Sequence, residues 1–226
     1  MEIVVVTAFI VIAGVVGLGV HGARRSARRH ASAMREGVRA RGWSLAATDD
    51  DIGMRWRGEP FRARAGHPRN VVRGSHRGHD FAAFDYVFTA KPTPNADTAI
   101  PHRFAVWALP LPASVPTLSV TARHVLSPKV SAQKVTWFGG AHVATGDPEF
   151  DEMFAVECAD DAFVAQVLQP PLLEHLKQAG RWNWRFEDDT MISFQKGRLD
   201  AAGIAASLDR MIGVLEHVSR DVWRHA

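Results

Sequence analysis

Four side chains offer the sequence's best prospect of metal chemistry: His67, and His76, His79 and Asp80 from the run His76-Arg77-Gly78-His79-Asp80. Two histidines three apart, with a carboxylate beside them, are ligand types that zinc and other borderline cations take, provided the loop folds back on itself. A cation held there would make the chain a metal-assisted hydrolase, and we keep that as the alternative function. Arg69, Arg73 and Arg77 crowd the same segment and would repel a cation, so the preferred expectation is no metal and no cofactor.

Other acid–base candidates are weaker. Asp188-Asp189, Asp160-Asp161 and Asp49-Asp50-Asp51 sit where turns and helix caps want Asp, and adjacent carboxylates in a strand point to opposite faces. Cys158, the only cysteine, lies in an apolar run without a base nearby in sequence, which suits a buried, inert thiol. It excludes an intramolecular disulfide and any multi-cysteine metal centre. No P-loop, dinucleotide glycine fingerprint, G-x-S-x-G or H-E-x-x-H motif is present.

A ladder of arginines is the denser feature: Arg55, Arg57, Arg62, Arg64, Arg69, Arg73 and Arg77. Segments 54–57 and 61–65, separated by Gly58-Glu59-Pro60, read as a hairpin with Arg62 and Arg64 on its wet face. Such a surface suits lipid phosphates or an acidic protein segment; its competing interpretation is an ordinary solvated face.

The elements that must position these groups begin with residues 3–20, IVVVTAFIVIAGVVGLGV. The stretch has no charged residue and, at about 18 residues, is just long enough to cross a bilayer as a helix. Glu2 precedes it, and Arg24, Arg25, Arg28 and Arg29 follow. A secretory signal would carry its charge before the apolar run, so an uncleaved single-pass anchor is expected. Clustered arginines hold to the cytoplasmic side, placing the short N-terminus outside and the rest at the inner face of a bacterial membrane. Arg24, Arg25, Arg28 and Arg29, with Arg62 and Arg64, are the expected contacts to anionic lipid or a partner.

Charge is unevenly spread. Residues 21–80 hold 14 Arg against 6 acids, whereas residues 81–226 hold 13 Lys plus Arg against 17 acids. The basic third carries no recognisable nucleic-acid module, so no nucleic-acid partner is expected. With 46% hydrophobic and 23% charged residues the chain has an ordinary globular composition. The expected organisation is an anchor at 1–22, a basic juxtamembrane helix at 23–42 and one α+β domain at 43–226.

In that domain the patterning is mainly antiparallel β with short inserted helices. Residues 24–41 read as a helix ended by Gly42, with Met34 and Val38 on its apolar stripe. Phe84, Tyr86 and Phe88 share one face of a strand, and residues 104–109 alternate along another. Pro110, Pro112 and Pro116 are expected to interrupt pairing until 117–121. Asp147, Asp160 and Asp200 are placed to cap helices, the last of them long and amphipathic, packed over the sheet. Residues 182–186 and 190–194 read as a second hairpin about Glu187-Asp188-Asp189.

Three stretches carry a resemblance: GHDFAAFDYVFT (78–89), FAVWALPLPASVPTLSVT (104–121) and DPEFDEMFAVECADDAFVAQVLQPPLLEHL (147–176). Their order and spacing resemble a family of bacterial, chiefly actinobacterial, single-pass membrane-anchored proteins with no assigned activity. Phe150, Phe154, Val156, Asp161, Ala165 and Leu168 match its pattern. The resemblance implies the same anchored α+β fold and supplies no catalytic residue. We therefore expect a non-catalytic domain that binds or positions a protein or anionic lipid at the inner membrane surface.

Overall fold

In a computed structural model the protein is described over residues 25–53, 55–61, 66–91, 98–123 and 141–224. The apolar stretch 3–20, with Arg24, Arg62 and Arg64, lies outside the described residues. Among the described residues no helix is long and apolar enough to cross a membrane.

Alternating apolar side chains make residues 100–122 the axis of the sheet. Strand β4 (Ile100–Ala122) sends Ala105, Trp107 and Leu109 to one face and Val106 and Ala108 to the other. One edge of β4 pairs antiparallel with β3 (His79–Ala90) along its first half and with β6 (Phe154–Cys158) at its end. The opposite edge pairs with β7 (Asn183–Lys196). Outward from β3 lie β2 (His67–His76) and the short edge strand β1 (Ser44–Ala46); outward from β6 lies β5 (Ala141–Val143). All these pairings are antiparallel.

Two expectations are corrected here. The prolines do not interrupt β4: Pro112 and Pro116 fall where its register against β7 shifts, between Pro110 and Leu118. A proline's missing N–H costs no ladder bond at such an irregularity. Nor is there a hairpin about Asp188. Strand β7 runs through it, and Asp188 takes a left-handed φ of 55° opposite Val115, stapled by the Ser114 hydroxyl. An Asp that looks like a turn former is here the hinge of a bulge.

The main core fills one sheet face. Leu109, Leu118, Trp184, Phe186 and Met191 meet Phe150 of α3 (Pro148–Met153), Val167 of α4 (Asp161–Val167) and Leu172 and Leu176 of α5 (Pro170–Ala179). Ile204, Leu208 and Met211 of α6 (Ala201–His217) complete it, as their spacing predicts. Side chains of Asp147, Asp160 and Asp200 accept the N–H three residues on, at 3.1, 3.0 and 2.7 Å, so all three caps stand where expected. Lys177 ties α5 to the Asp147 cap at 2.9 Å and to Glu149 at 3.2 Å; that bond to Asp147 raises its pKa.

The other face carries a smaller core of Val71, Phe84, Tyr86, Val106 and Ile192, roofed by Ile52 of the short helix α2 (Asp50–Gly53), Trp56 and Phe61. Residues 55–57 of this roof are not a strand, so the first arm of the expected hairpin does not form there, and residues 62–65 of its second arm lie outside the described residues. A polar clamp holds the roof. The buried Arg185 guanidinium donates to the carbonyls of Arg57 (2.7 Å) and Glu59 (2.5 Å) and to Glu187 Oε2 (2.8 Å), while Glu187 Oε1 accepts from Arg57 N–H (2.7 Å). Burial disfavours the charged guanidinium, and the Glu187 carboxylate opposes that cost.

Candidate functional site

The helix over residues 25–40, α1, buries Met34 and Val38 in the main core. It approaches α6 closely at Gly37, where a Cβ would stand 2.5 Å from that of Ala201, and His30 Nε2 donates to the Leu199 carbonyl at 2.9 Å. Gly42, with φ of 70°, ends it as the sequence suggests. Because one side is committed to the core, its remaining residues face solvent: Arg25, Arg28, Arg29, Ser32, Arg35 and Arg39 are exposed. None of these arginines has a carboxylate partner among the described residues.

Beside the C-terminal half of α1 lies a groove of about 590 Å³, closed on its other side by the edge strand β1. Arg35 and Arg39 stand on its helical wall; Val38, Trp43 and Leu45 supply apolar surface, and Asn70 bounds the far end. Trp43 is fixed from several directions. Its indole N–H donates to the Ser75 carbonyl at 3.2 Å, its ring meets Phe81 edge-on at 4.9 Å, and Arg41 lies 5.4 Å from its centre. Gly74 lies beneath the ring, where a Cβ would come within 2.4 Å of it. Asn70, in a left-handed conformation (φ 51°) at a bulge of β2, donates to the buried Asp85 carboxylate at 2.7 Å.

Three members of the arginine ladder are spent internally. Arg55 binds Asp189 (2.5 Å), Arg73 binds Asp49 (2.5 Å), and Arg77 binds Glu216 (2.8 Å) with Asp209 at 3.6 Å. The Arg73 bond holds the Asp49 carboxyl below its usual range. The Arg55 and Arg77 pairs join the basic third to the acidic remainder, whereas Arg73–Asp49 lies within the basic third, so part of the charge asymmetry in the sequence is a docking pattern within the fold. Exposed pairs of this kind contribute only about 0–1 kcal/mol each. They nevertheless leave Arg55, Arg73 and Arg77 without free charge for a lipid phosphate.

The histidine set does not assemble. His76 and His79 flank the Arg77-Gly78 turn of the β2–β3 hairpin, whose left-handed φ values of 51° and 82° close it. His67 pairs with Val87 at the other end of β2, about 30 Å away at the rise of a strand. His76 donates to Asp209 Oδ1 at 2.8 Å, latching the turn onto α6. Asp80 pairs with Ser75. Among the described residues no group of three His, Cys, Asp or Glu side chains could hold a metal ion. The hydrolase alternative loses its ligand set: it needed a loop that folds back, and the length of β2 separates its ends.

Cys158 is buried, and burial pushes its thiol pKa up, as expected of an inert core thiol. One further titratable pair was not legible in the sequence. His175 of α5 and His217 of α6 stack at 4.3 Å; His217 Nδ1 donates to the Gly213 carbonyl at 2.7 Å, and the buried His175 Nε2 lacks a hydrogen-bond partner among the described residues.

Of the expected contact residues, then, Arg25, Arg28 and Arg29 stand exposed on α1, and Arg24, Arg62 and Arg64 lie outside the described residues. Arg35, Arg39 and Trp43 are site residues that sequence reasoning missed; the four-residue spacing of the two arginines beside Val38 was the available signal.

No family model and no curated protein matches the chain. Among solved structures, the fold is similar to the crystal structure of the mycobacterial trehalose monomycolate transport factor A, TtfA. The match has a TM-score of 0.54 and covers 82% of this chain and 89% of that one at 11% identity. At that identity the likeness to this mycobacterial protein is one of fold alone.

Proposed function

We propose that the chain is a membrane-anchored, non-catalytic accessory domain that works against the inner surface of a bacterial membrane. Its anchor is the apolar stretch 3–20, and its lipid-facing element is the arginine side of α1. One observation carries this: Arg25, Arg28 and Arg29 are exposed and, among the described residues, without carboxylate partners, directly after a stretch of membrane-spanning length. Basic side chains at that position gain about 1 kcal/mol each from anionic lipid. The buried face of α1, through Met34 and Val38, would make lipid contact and domain orientation one event.

The likeness to a protein described as a trehalose monomycolate transport factor supports an accessory role over an enzymatic one. The protein partner in such a role would meet a domain held in one orientation by its own first helix.

Membrane topology is the test. A reporter fused after Ala226 should behave as cytoplasmic, and protease added outside intact cells should spare the domain. Changing Arg24, Arg25, Arg28 and Arg29 to Ala, with Lys added before Ile3, should invert a measurable fraction. An exported reporter on the unaltered chain refutes the proposal.

A further inference from the structure

The groove between α1 and β1 has chemistry of its own, beyond surface docking and on different side chains. Arg35 and Arg39 are four residues apart, hence neighbours on one helix face, and like charges at that spacing repel. No carboxylate lines the groove to relieve them. Glu36, between the two arginines in the chain, is exposed, forms no ion pair with either among the described residues and does not line the groove. Asp49 is engaged by Arg73, and Asp85 by Asn70 and the Leu199 N–H at 2.8 Å. An anion is what this pair lacks.

We propose that the groove binds one phosphate monoester carrying an apolar chain, the phosphate held by Arg35 and Arg39 and the chain lying on Val38, Trp43 and Leu45. A dianionic head matches two guanidinium groups, whose planar forks can each give a phosphate two hydrogen bonds. An apolar chain matches the remaining wall, and about 590 Å³ falls within the range of about 300–1,000 Å³ typical of small-molecule sites. The wall is preformed, because Trp43 is fixed by Ser75, Phe81 and the floor at Gly74. An extended acidic peptide fits less well: β1 offers an edge of only three residues for main-chain pairing.

Hexyl phosphate is the probe, titrated into the full-length protein in a neutral maltoside detergent. Fluorine NMR of 5-fluorotryptophan reports the binding, with the Trp43 resonance assigned by a Trp43→Phe variant. The Trp43 resonance should shift saturably, with at least tenfold tighter binding than for inorganic phosphate or hexanol. Arg35→Gln/Arg39→Gln should weaken binding at least tenfold. Both side chains are exposed and without an ion pair among the described residues, so that variant should keep the unliganded spectrum. Arg25→Gln/Arg28→Gln/Arg29→Gln, which removes the membrane-docking residues, should leave the affinity unchanged. A saturable shift unaltered in the Arg35/Arg39 variant, no saturable shift at all, or a shift produced only by a glutamate-rich hexapeptide would each overturn the assignment.

Discussion

Arg185→Met is the perturbation whose size follows most directly from the fold. The side chain is 1% exposed, and its guanidinium satisfies Glu187 together with the carbonyls of Arg57 and Glu59, three groups drawn from β7 and the roof of the smaller core. Methionine keeps much of the volume and removes every donor. Glu187, 9% exposed, is left with the Arg57 N–H and an uncompensated charge. Breaking one partner of a buried pair costs about 3–5 kcal/mol, against a total stability of about 5–15 kcal/mol for a domain. The unfolded fraction should therefore rise by roughly two to four orders of magnitude. Urea unfolding of the full-length protein in neutral detergent, followed by tryptophan fluorescence, measures this, and trypsin should cut faster at Arg55 and Arg57. Arg185→Met/Glu187→Met should recover part of the loss, because no buried charge is then left alone. A single-variant loss below about 1 kcal/mol, with unchanged cleavage, would refute the clamp.

Two further predictions follow from other contacts. Burial, and then the charge of His217, lower the His175 pKa below 6.5, while Glu216 pulls the other way. The unfolded chain thus binds the proton more readily, so this contribution is present above about pH 6.5 and lost as pH falls toward the depressed value. Urea midpoints measured between pH 7.5 and 5 should fall, and His175→Gln should flatten the slope; a slope that survives that change would contradict the assignment. Gly74→Ala puts a methyl within 2.4 Å of the fixed Trp43 ring, so we expect a loss of about 1–3 kcal/mol and a changed Trp43 environment. Wild-type stability in that variant would show the groove wall to be loose.

What was legible in the sequence was local. The caps at Asp147, Asp160 and Asp200 and the stripe of Ile204, Leu208 and Met211 depend on neighbours within a turn or two, so residue type and spacing suffice. The alternation of Phe104 to Leu109 likewise reveals a strand with a core on each face. The misread segments are those where a distant partner decides. Asp188 resembles a turn residue until β4 is laid beside it, and Pro112 and Pro116 resemble breakers until the register shift is seen. Pairs such as Arg55–Asp189 and Arg77–Glu216 link positions more than 130 residues apart, so part of a ladder of apparently free charge is already paired within the fold. The groove is non-local in the same way, since Arg35 and Arg39 acquire an apolar facing wall only when Trp43 and Leu45 turn back along α1.

Contact between α1 and lipid is the most direct test of the account. Ser32 is exposed among Arg28, Arg29 and Arg35, and the sole native thiol, Cys158, is buried, so a nitroxide at Ser32→Cys reports from the arginine side alone. The full-length protein in lipid nanodiscs would be compared with anionic and with neutral lipids, using nickel chelated to lipid head groups as the relaxing agent. Three arginines at about 1 kcal/mol each favour docking by roughly 150-fold. We predict strong relaxation by head-group nickel on anionic lipid. It should weaken on neutral lipid, in the Arg25→Gln/Arg28→Gln/Arg29→Gln variant and near 1 M salt, where screening acts within about 3 Å. Equal relaxation under all four conditions, or a label reached only by water-soluble nickel, would contradict the claim that this helix is the domain's membrane face.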